Sequence, residues 1–576
     1  MLILLTIFLL LLAPLIMLVL HLVRPKFRFQ GFIGVLATLA GWILVLLSRG
    51  QEPLLINLPR WEPDLFFPTS PVLLIDDSSR NFALALVSLS LALIITSIAQ
   101  LGQSLKLSRI QVTQHNAVPI PQVSNEKAQS DGGPTNNGSS SIASNWQSWA
   151  GMLLLTSIGL VAVTAGNLLT LLLAWAALDV LELLILLGQV LESRSRERII
   201  LAFTARIAGI GTVLLAAIIP WYHGSSLSYD AITQSTSIYL LIAAGLRLGV
   251  LPLHLPYSQV LPLSRGLGTI LRLVSAASSF ILLVRVSSVG INGPAAPYLV
   301  VLTLLAGLFA AFNWMNARDE INGRPYWLLA TGSLVVVSAI LNRPVACLTW
   351  CIASLLSGGM VFSMALRHKN LAPLAVMGLF NLSALPFSPT WMGASLYDYS
   401  SVYTNWIPQW LYYSFFIAIV FTHSLLLTGF ARHALRGMLL PEDQKEVHIE
   451  RWVWLLYPLG LAVILVAHFL IGWFLYPDFH VVPLLGWLAG MITVVISGLL
   501  WLESIRHPRI LSYRLLSVKG SPLNRFVSME WIYPLFWRLF RLLTRLSTLF
   551  STILEGDGGI LWAMVLFALI FVFLQR

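Results

Sequence analysis

The sequence predicts an all-α protein that crosses a membrane about sixteen times. Three observations carry that expectation. Apolar runs of roughly 20 residues, the length needed to cross a ~30 Å hydrocarbon core, recur along almost all of the 576 residues. Only 10% of the residues are charged, against about 25% in soluble domains. Mean hydropathy is +0.82. A soluble enzyme, a secreted disulfide scaffold and a disordered chain are excluded on these grounds.

Hydropathy places the spans near 2–22, 31–48, 82–102, 149–164, 167–190, 198–219, 236–253, 266–286, 297–314, 326–342, 345–366, 371–386, 406–430, 452–474, 481–503 and 558–575. The first, MLILLTIFLLLLAPLIMLVL, lacks the basic start and small-residue cleavage site of a signal peptide and reads as a retained span. Loop charges support the count. Arg24, Lys26 and Arg28 follow span one, Lys106, Arg109 and Lys127 span three, and Arg194, Arg196 and Arg198 span five. Arg318, Arg324, Arg367, Lys369, Arg432, Arg436, Lys445, Arg506, Arg509, Arg514 and Lys519 likewise follow odd-numbered spans. Positive-inside bias then puts the odd loops in the cytoplasm and both termini outside. It also accounts for the net charge of +11 without invoking nucleic acid.

Three stretches are not spans. Residues 49–81, with Pro, Trp and acids, are an outer loop long enough for a hairpin or a short surface helix. The SNEKAQSDGGPTNNGSSS composition within 107–149 cannot bury a core and reads as a disordered cytoplasmic insertion. In 528–553, Arg538, Arg541 and Arg545 form a helical stripe opposite Trp, Leu and Phe, which predicts an amphipathic helix on the cytoplasmic surface, begun or kinked at Pro534. A partner subunit is the alternative occupant of that helix. Cys347 and Cys351 fall on one face of one helix and read as core packing, not a metal site.

Charges inside apolar runs cost roughly 2.5–3.5 kcal/mol each on insertion scales, so they need partners, water or a function. Span five carries Asp179 and Glu182 on one helical face, and spans six, seven and eight carry Arg206, Arg247 and Arg272. Internal ion pairing follows, either functional or only fixing helix register. Arg247 is expected to pair with one of the acids, Asp179 ahead of Glu182. Span seven is interrupted by Pro252 and Pro256, and span twelve by Pro386 and Pro389. Paired proline breaks in two chain halves point to a transporter with repeated, discontinuous helices. His254, between the first two prolines, is the histidine best placed to relay a proton; His423 and His468 lie in later spans.

The run IDDSSRNFALAL, then GNLLTLLLAWAALDVLELLILL, then GLRLGVLPLHLPYSQVLPLSRGLGTILRLVSAASSFILLVR, and later LFNLSALPFSPTW resembles the antiporter-like membrane subunits of respiratory complex I, membrane-bound hydrogenases and Mrp-type cation/proton antiporters. The resemblance covers roughly residues 70–430 and implies two inverted five-helix repeats with a chain of Lys, Glu and His across the mid-plane. It divides the chain into N-terminal spans (1–106), a linker (107–148), a first repeat (149–290), a second repeat (291–430), two further spans (431–503), a loop with the amphipathic helix (504–557) and a last span (558–576).

This sequence departs from the family pattern. Trp175-Ala176 stands where the family has Trp-Glu, Arg247 replaces a lysine, and the second-half lysines are absent. An arginine stays charged and cannot hand a proton on, although it can act as a fixed counter-charge. The resemblance implies a membrane subunit of a complex-I-like (NADH:quinone oxidoreductase-type) or Mrp-like assembly in a bacterial cytoplasmic membrane. Its partners are other membrane subunits, the lipid bilayer, and protons or small cations. A degenerate scaffold subunit is the same-family alternative, and a polytopic membrane transferase the alternative from another class. No nucleotide loop, haem pair or cluster-binding cysteines occur, so no cofactor, metal or catalytic residue is expected, and redox chemistry falls to partner subunits.

Overall fold

The computed structural model describes residues 1–24, 29–59, 70–116, 146–189, 193–222, 228–255, 263–291, 293–366, 368–398, 409–435, 451–475, 482–506, 534, 537–538, 541–548 and 558–574. The chain forms two compact units, 1–515 and 516–576. It is an all-α polytopic membrane protein. In order, the first unit holds α1 (Leu2–Val23), α2 (Gln30–Leu47), β1 (Leu54–Asn57), β2 (Val72–Ile75), α3 (Asp77–Asn116), α4 (Trp146–Val163), α5 (Leu168–Gln189), α6 (Ser193–Tyr222), α7 (Gln234–Leu248), α8 (Arg265–Ser287), α9 (Ala296–Asn316), α10 (Glu320–Ile340), α11 (Pro344–Ser363), α12 (Ala372–Leu382), α13 (Gln409–Leu435), α14 (Arg451–Leu475) and α15 (Leu484–Arg506). The second unit contains a helical stretch over 541–548 and a last helix, α16 (Gly558–Leu574).

Every expected span coincides with a helix, and twelve of these helices are long and apolar enough to cross a membrane. Two of the others, α7 with 15 residues and α12 with 11, are shorter, each ending a few residues before its proline break. Several boundaries differ from expectation, α3, α6 and α10 each beginning five or six residues early, and three helix ends differ as well. The seventh helix ends at Leu248, not 253, because Gly249 turns left-handed (φ +79°). The twelfth ends at Leu382, before left-handed Ala384 and Phe387. The third runs on through Asn116, beyond the point at which the linker was expected to begin. The centre of that linker, 117–145, lies outside the described residues, as do Pro256 and most of the expected surface helix. Arg538 and Arg541–Thr548 are helical and exposed there, with the Arg541 guanidinium over the Trp537 ring.

Side-chain size sorts the helices between centre and rim. Helix α8 (RGLGTILRLVSAASSFILLVRVS) and α11 (PVACLTWCIASLLSGGMVFS) are rich in Gly, Ala and Ser, and they are buried along all or nearly all of their length. Small residues let backbones approach where lipid gives no hydrophobic drive to association. Helix α8 accordingly packs on α3, α4, α7, α10 and α11. Helix α1, built of Leu, Ile and Phe, turns Leu5, Phe8, Leu12 and Leu15 outward.

The loop over 49–81 forms the hairpin, β1 pairing antiparallel with β2 from Leu54↔Ile75 to Asn57↔Val72. The other edge of β2 is also satisfied. Leu74 N–H donates to the Thr164 carbonyl (2.7 Å), Gly166 N–H to the Val72 carbonyl (2.8 Å), and Val72 N–H to Thr170 Oγ1 (2.7 Å). At its end Asp76 accepts both Arg285 Nη atoms, one at 2.9 Å, binding the hairpin to the end of α8. Burial alone would push the Asp76 carboxyl up, but the hydrogen bond and charge of Arg285, with Ser79 N–H, hold it below the usual carboxylate range.

A depressed folded value means that the pair stabilises above the unfolded pKa of about 4 and is lost as pH falls through the lower, folded value. The melting temperature of Asp76→Asn should therefore sit below wild type by a constant gap at neutral pH. The gap should close only in strong acid; a gap independent of pH down to the acid limit of folding would rule the pair out.

Candidate functional site

Four of the charges expected inside the membrane meet at the break in α7. Helix α5 presents Asp179 and Glu182 one turn apart, α6 presents Arg206 from the facing side, and α7 ends its last turn with Arg247. All four are buried. Arg247 grips Asp179 with both terminal nitrogens, Nη1 to Oδ2 at 2.5 Å and Nη2 to Oδ1 at 2.8 Å. Arg206 Nη1 donates to Glu182 Oε2 and, at 3.3 Å, to Asp179 Oδ1. Two acids and two guanidinia thus form one neutral cluster. The bidentate fork is the geometry that suits arginine to a buried carboxylate.

The surroundings hold Arg247 in place. Its guanidinium lies 4.3 Å over the centre of the Trp175 ring, and that ring is fixed by its Nε1–H donating to the Ser278 carbonyl of α8 at 3.1 Å. A cation over an indole face is attracted by the ring quadrupole. On the other side Gly209 of α6 makes room, since a Cβ there would stand 2.9 Å from Arg247 Cγ and 3.2 Å from the Ala243 carbonyl. Trp175 carries a signal in the sequence, one turn before Asp179 on the same face. Gly209 carries none without knowing which helix faces it.

Glu182 is the member with spare capacity. Its Oε1 is buried and has no hydrogen-bond partner among the described residues. Glu182 also lines, with Asp179, Arg206, Arg272, Phe203 and Leu271, a cavity of about 20 Å3, room for about one water molecule. Arg272 reaches the same cavity from α8 while donating to the Gly268 carbonyl at 3.0 Å. It belongs as well to a basic group that the intramembrane pattern did not predict. There Arg265 Nη1 pairs with Glu320 at 2.7 Å and Arg324 Nη2 donates to the Arg265 carbonyl at 3.1 Å, where α8 and α10 begin.

His254 is not part of this cluster among the described residues. It sits beyond the break, buried, its Nδ1–H donating to the Pro252 carbonyl at 2.9 Å, and its Nε2 has no partner among the described residues. In the second half Pro386 and Pro389 mark the break after α12. Pro389 packs so tightly on α14 that a Cβ at Gly472 would meet it at 2.6 Å. Among the described residues no group of three or more metal-ligating side chains occurs.

The architecture has solved counterparts. A subunit in the structure of the Mrp complex from Dietzia sp. DQ12-45-1b superposes over 100% of this chain with a TM-score of 0.67 at 14% identity. The fold is that of the antiporter-like membrane subunits. A subunit of the membrane-bound sulfane sulfur reductase, an archaeal respiratory membrane complex, matches 98% of the chain (TM-score 0.61, 13% identity) and is itself covered over 99%. One from respiratory complex I of Thermus thermophilus, solved with bound aureothin, matches 85% (TM-score 0.53, 15% identity). The chain spans 63% of the length of the Mrp subunit. No protein-family model and no curated protein sequence matches it.

Removing Arg247 tests the cluster. Arg247→Met leaves Asp179 with a single shared donor and should lower the stability of the solubilised protein by about 3–5 kcal/mol, the range for breaking a buried pair. Adding Asp179→Asn should restore part of that loss. A melting temperature unmoved by Arg247→Met would show that the arginine faces water.

Proposed function

We propose that this chain is the proton- or cation-translocating membrane subunit of an Mrp-like or complex-I-like assembly, working in a bacterial cytoplasmic membrane beside other membrane subunits. The observation that carries the proposal is Glu182, whose unbonded Oε1 belongs to a residue on a water-sized cavity while Oε2 is held by Arg206. A carboxylate with one oxygen committed and one free can take and release a proton without leaving its place. Asp179 is committed on both oxygens to Arg247 and Arg206. Arg247 remains a fixed counter-charge, because a guanidinium does not deprotonate in proteins. The fold match to subunits of an Mrp complex and of two respiratory complexes supports the assembly; electron transfer, and with it any NADH:quinone chemistry, falls to partner subunits.

A specific observation favours a second reading. Both arginines of the cluster are ion-paired with acids, and such pairing also serves a subunit that only seals or scaffolds its complex. The two readings part on Glu182→Gln, an isosteric change that keeps a side-chain acceptor for Arg206. In vesicles containing the intact assembly, Glu182→Gln should abolish proton uptake while subunit content stays at the wild-type level. Unchanged uptake with unchanged assembly would favour the scaffold.

From the odd-loop basic bias we infer a cytoplasmic 107–149 segment, a surface helix over 535–553 on the same side and an external C-terminus. Protease protection in oriented vesicles should cut the first from the cytoplasmic face only, and the reverse pattern would overturn the orientation.

A further inference from the structure

The basic group where α8 and α10 begin holds a buried guanidinium that its surroundings do not neutralise. Arg265, the outermost member with its side chain 24% exposed, is well served. Its Nη1 donates to Glu320 Oε1 at 2.7 Å and to the Phe362 and Met364 carbonyls at 3.1 and 3.2 Å. Arg272 and Arg324 lie deeper, 4% and 2% exposed. Arg324 Nη2 donates to the Arg265 carbonyl at 3.1 Å, and the guanidinium lies 5.6 Å from the centre of the Phe362 ring. Its Nε is buried and has no hydrogen-bond partner among the described residues. The charges that act on Arg324 are those of Arg272, Arg265, Glu320 and Asp319. Both carboxylates are engaged elsewhere, Glu320 by Arg265 and Asp319 as the N-cap of α10, where it accepts Asn322 N–H at 2.7 Å. The two deep guanidinia meet over Gly268. A Cβ there would stand 2.8 Å from Arg324 Nη1 and 3.4 Å from Arg272 Nη1, so the bare backbone lets two like charges approach one point. The sequence leading into α8, PYSQVLPLS, contains no Asp or Glu. A buried charge without a counter-charge is costly, and an anion from outside the chain would relieve it.

We propose that Arg324 and Arg272, meeting over Gly268, bind a phosphate oxyanion where α8 and α10 begin. A phosphate group presents several acceptor oxygens, and guanidinia are suited to it because each offers planar, fixed N–H donors. One oxyanion accepts from both guanidinia at once and turns a repulsion into a bridge. Arg265 stands on the exposed side of the pair, where its charge draws the anion inward. Chloride would supply the charge but only a single acceptor atom. The oxyanion arrives either as free inorganic phosphate or as the headgroup of an anionic phospholipid. Glu182 has no part in this site, so the inference stands apart from the translocation reading and from its Glu182→Gln test.

The test is thermal unfolding of the purified full chain in an uncharged detergent, titrated along two arms. In the first, inorganic phosphate is compared with chloride at matched ionic strength. In the second, phosphatidylglycerol is compared with phosphatidylcholine in mixed micelles. The expected result is a saturable rise in melting temperature with phosphate or with phosphatidylglycerol. A rise in the first arm alone assigns the site to the free anion, and a rise in the second alone to a lipid headgroup. Half-saturation should move at least about tenfold higher in Arg324→Gln, the loss of one charge-assisted hydrogen bond. Should that variant not fold, Gly268→Ala keeps every charge and sets a methyl against Arg324 Nη1, and it should weaken binding likewise. Phosphate no better than chloride, together with phosphatidylglycerol no better than phosphatidylcholine, would overturn the site. So would a wild-type response in Arg324→Gln, or in Gly268→Ala where that variant takes its place.

Discussion

A helix that stops midway across an apolar slab leaves carbonyls with no donor, and no water stands by to supply one. This constraint governs both halves of the molecule. Pro252 and Pro386 each remove an N–H from the ladder, and each time a histidine ring supplies a donor at the break. The routes differ. His254 comes from the same segment, two residues on from Pro252, and bonds the Pro252 carbonyl. His423 comes from a neighbouring helix and bonds Leu382. Hydroxyls complete the second break, Thr390 Oγ1 donating to the Asn381 carbonyl at 2.8 Å and accepting from Ala384 N–H at 2.9 Å. Polar residues at these depths are thus first of all backbone partners, and their chemistry is built on that duty.

The first break adds charge to this frame. Arg247 occupies the last turn of α7, where the partial negative charge of a helix C-terminus favours a cation. The same turn directs it across to Asp179 and onto the Trp175 face. Its fork geometry, its permanent charge and the space left by Gly209 belong together. A lysine there would lose the second hydrogen bond to Asp179. What the arginine gives up is the ability to lose its proton, so in the proposed function that role falls to Glu182, the acid of the cluster whose second oxygen has no partner among the described residues.

The spans were legible because their signal is one-dimensional: length and hydropathy alone mark α1 to α15. The ion pairing of Asp179 with Arg247 was legible in outline, since buried charges of opposite sign on neighbouring spans have few other partners. The sharing of Arg206 between both acids was not, because it depends on helix rotation, which hydropathy does not encode. Helix ends were missed where apolar residues continue past the last regular turn, as in Val250 and Leu251, whose N–H groups still bond the Gly245 carbonyl after α7 has ended. His423 and Leu382 lie 41 positions apart with no pattern linking them, and only the carbonyl left without a helical donor ahead of Pro386 shows why the histidine stands where it does. The hairpin over 49–81 was one of two readings, and its pairing to the α4–α5 connection could not be seen from composition.

The neutrality of the α5–α7 cluster has an electrical consequence. Two opposed pairs side by side cancel one another's field within a short distance, so in its resting ionisation state the cluster is silent to the rest of the molecule. One added proton leaves a net unit charge in a medium that excludes counterions, where the Debye screening that mutes surface charges does not operate. At an effective dielectric of about 20, such a charge is still felt at about 1 kcal/mol some 15 Å away. Under the proposed proton-carrying role, the cluster acts less as a reservoir than as a source whose signal appears and vanishes with a single proton.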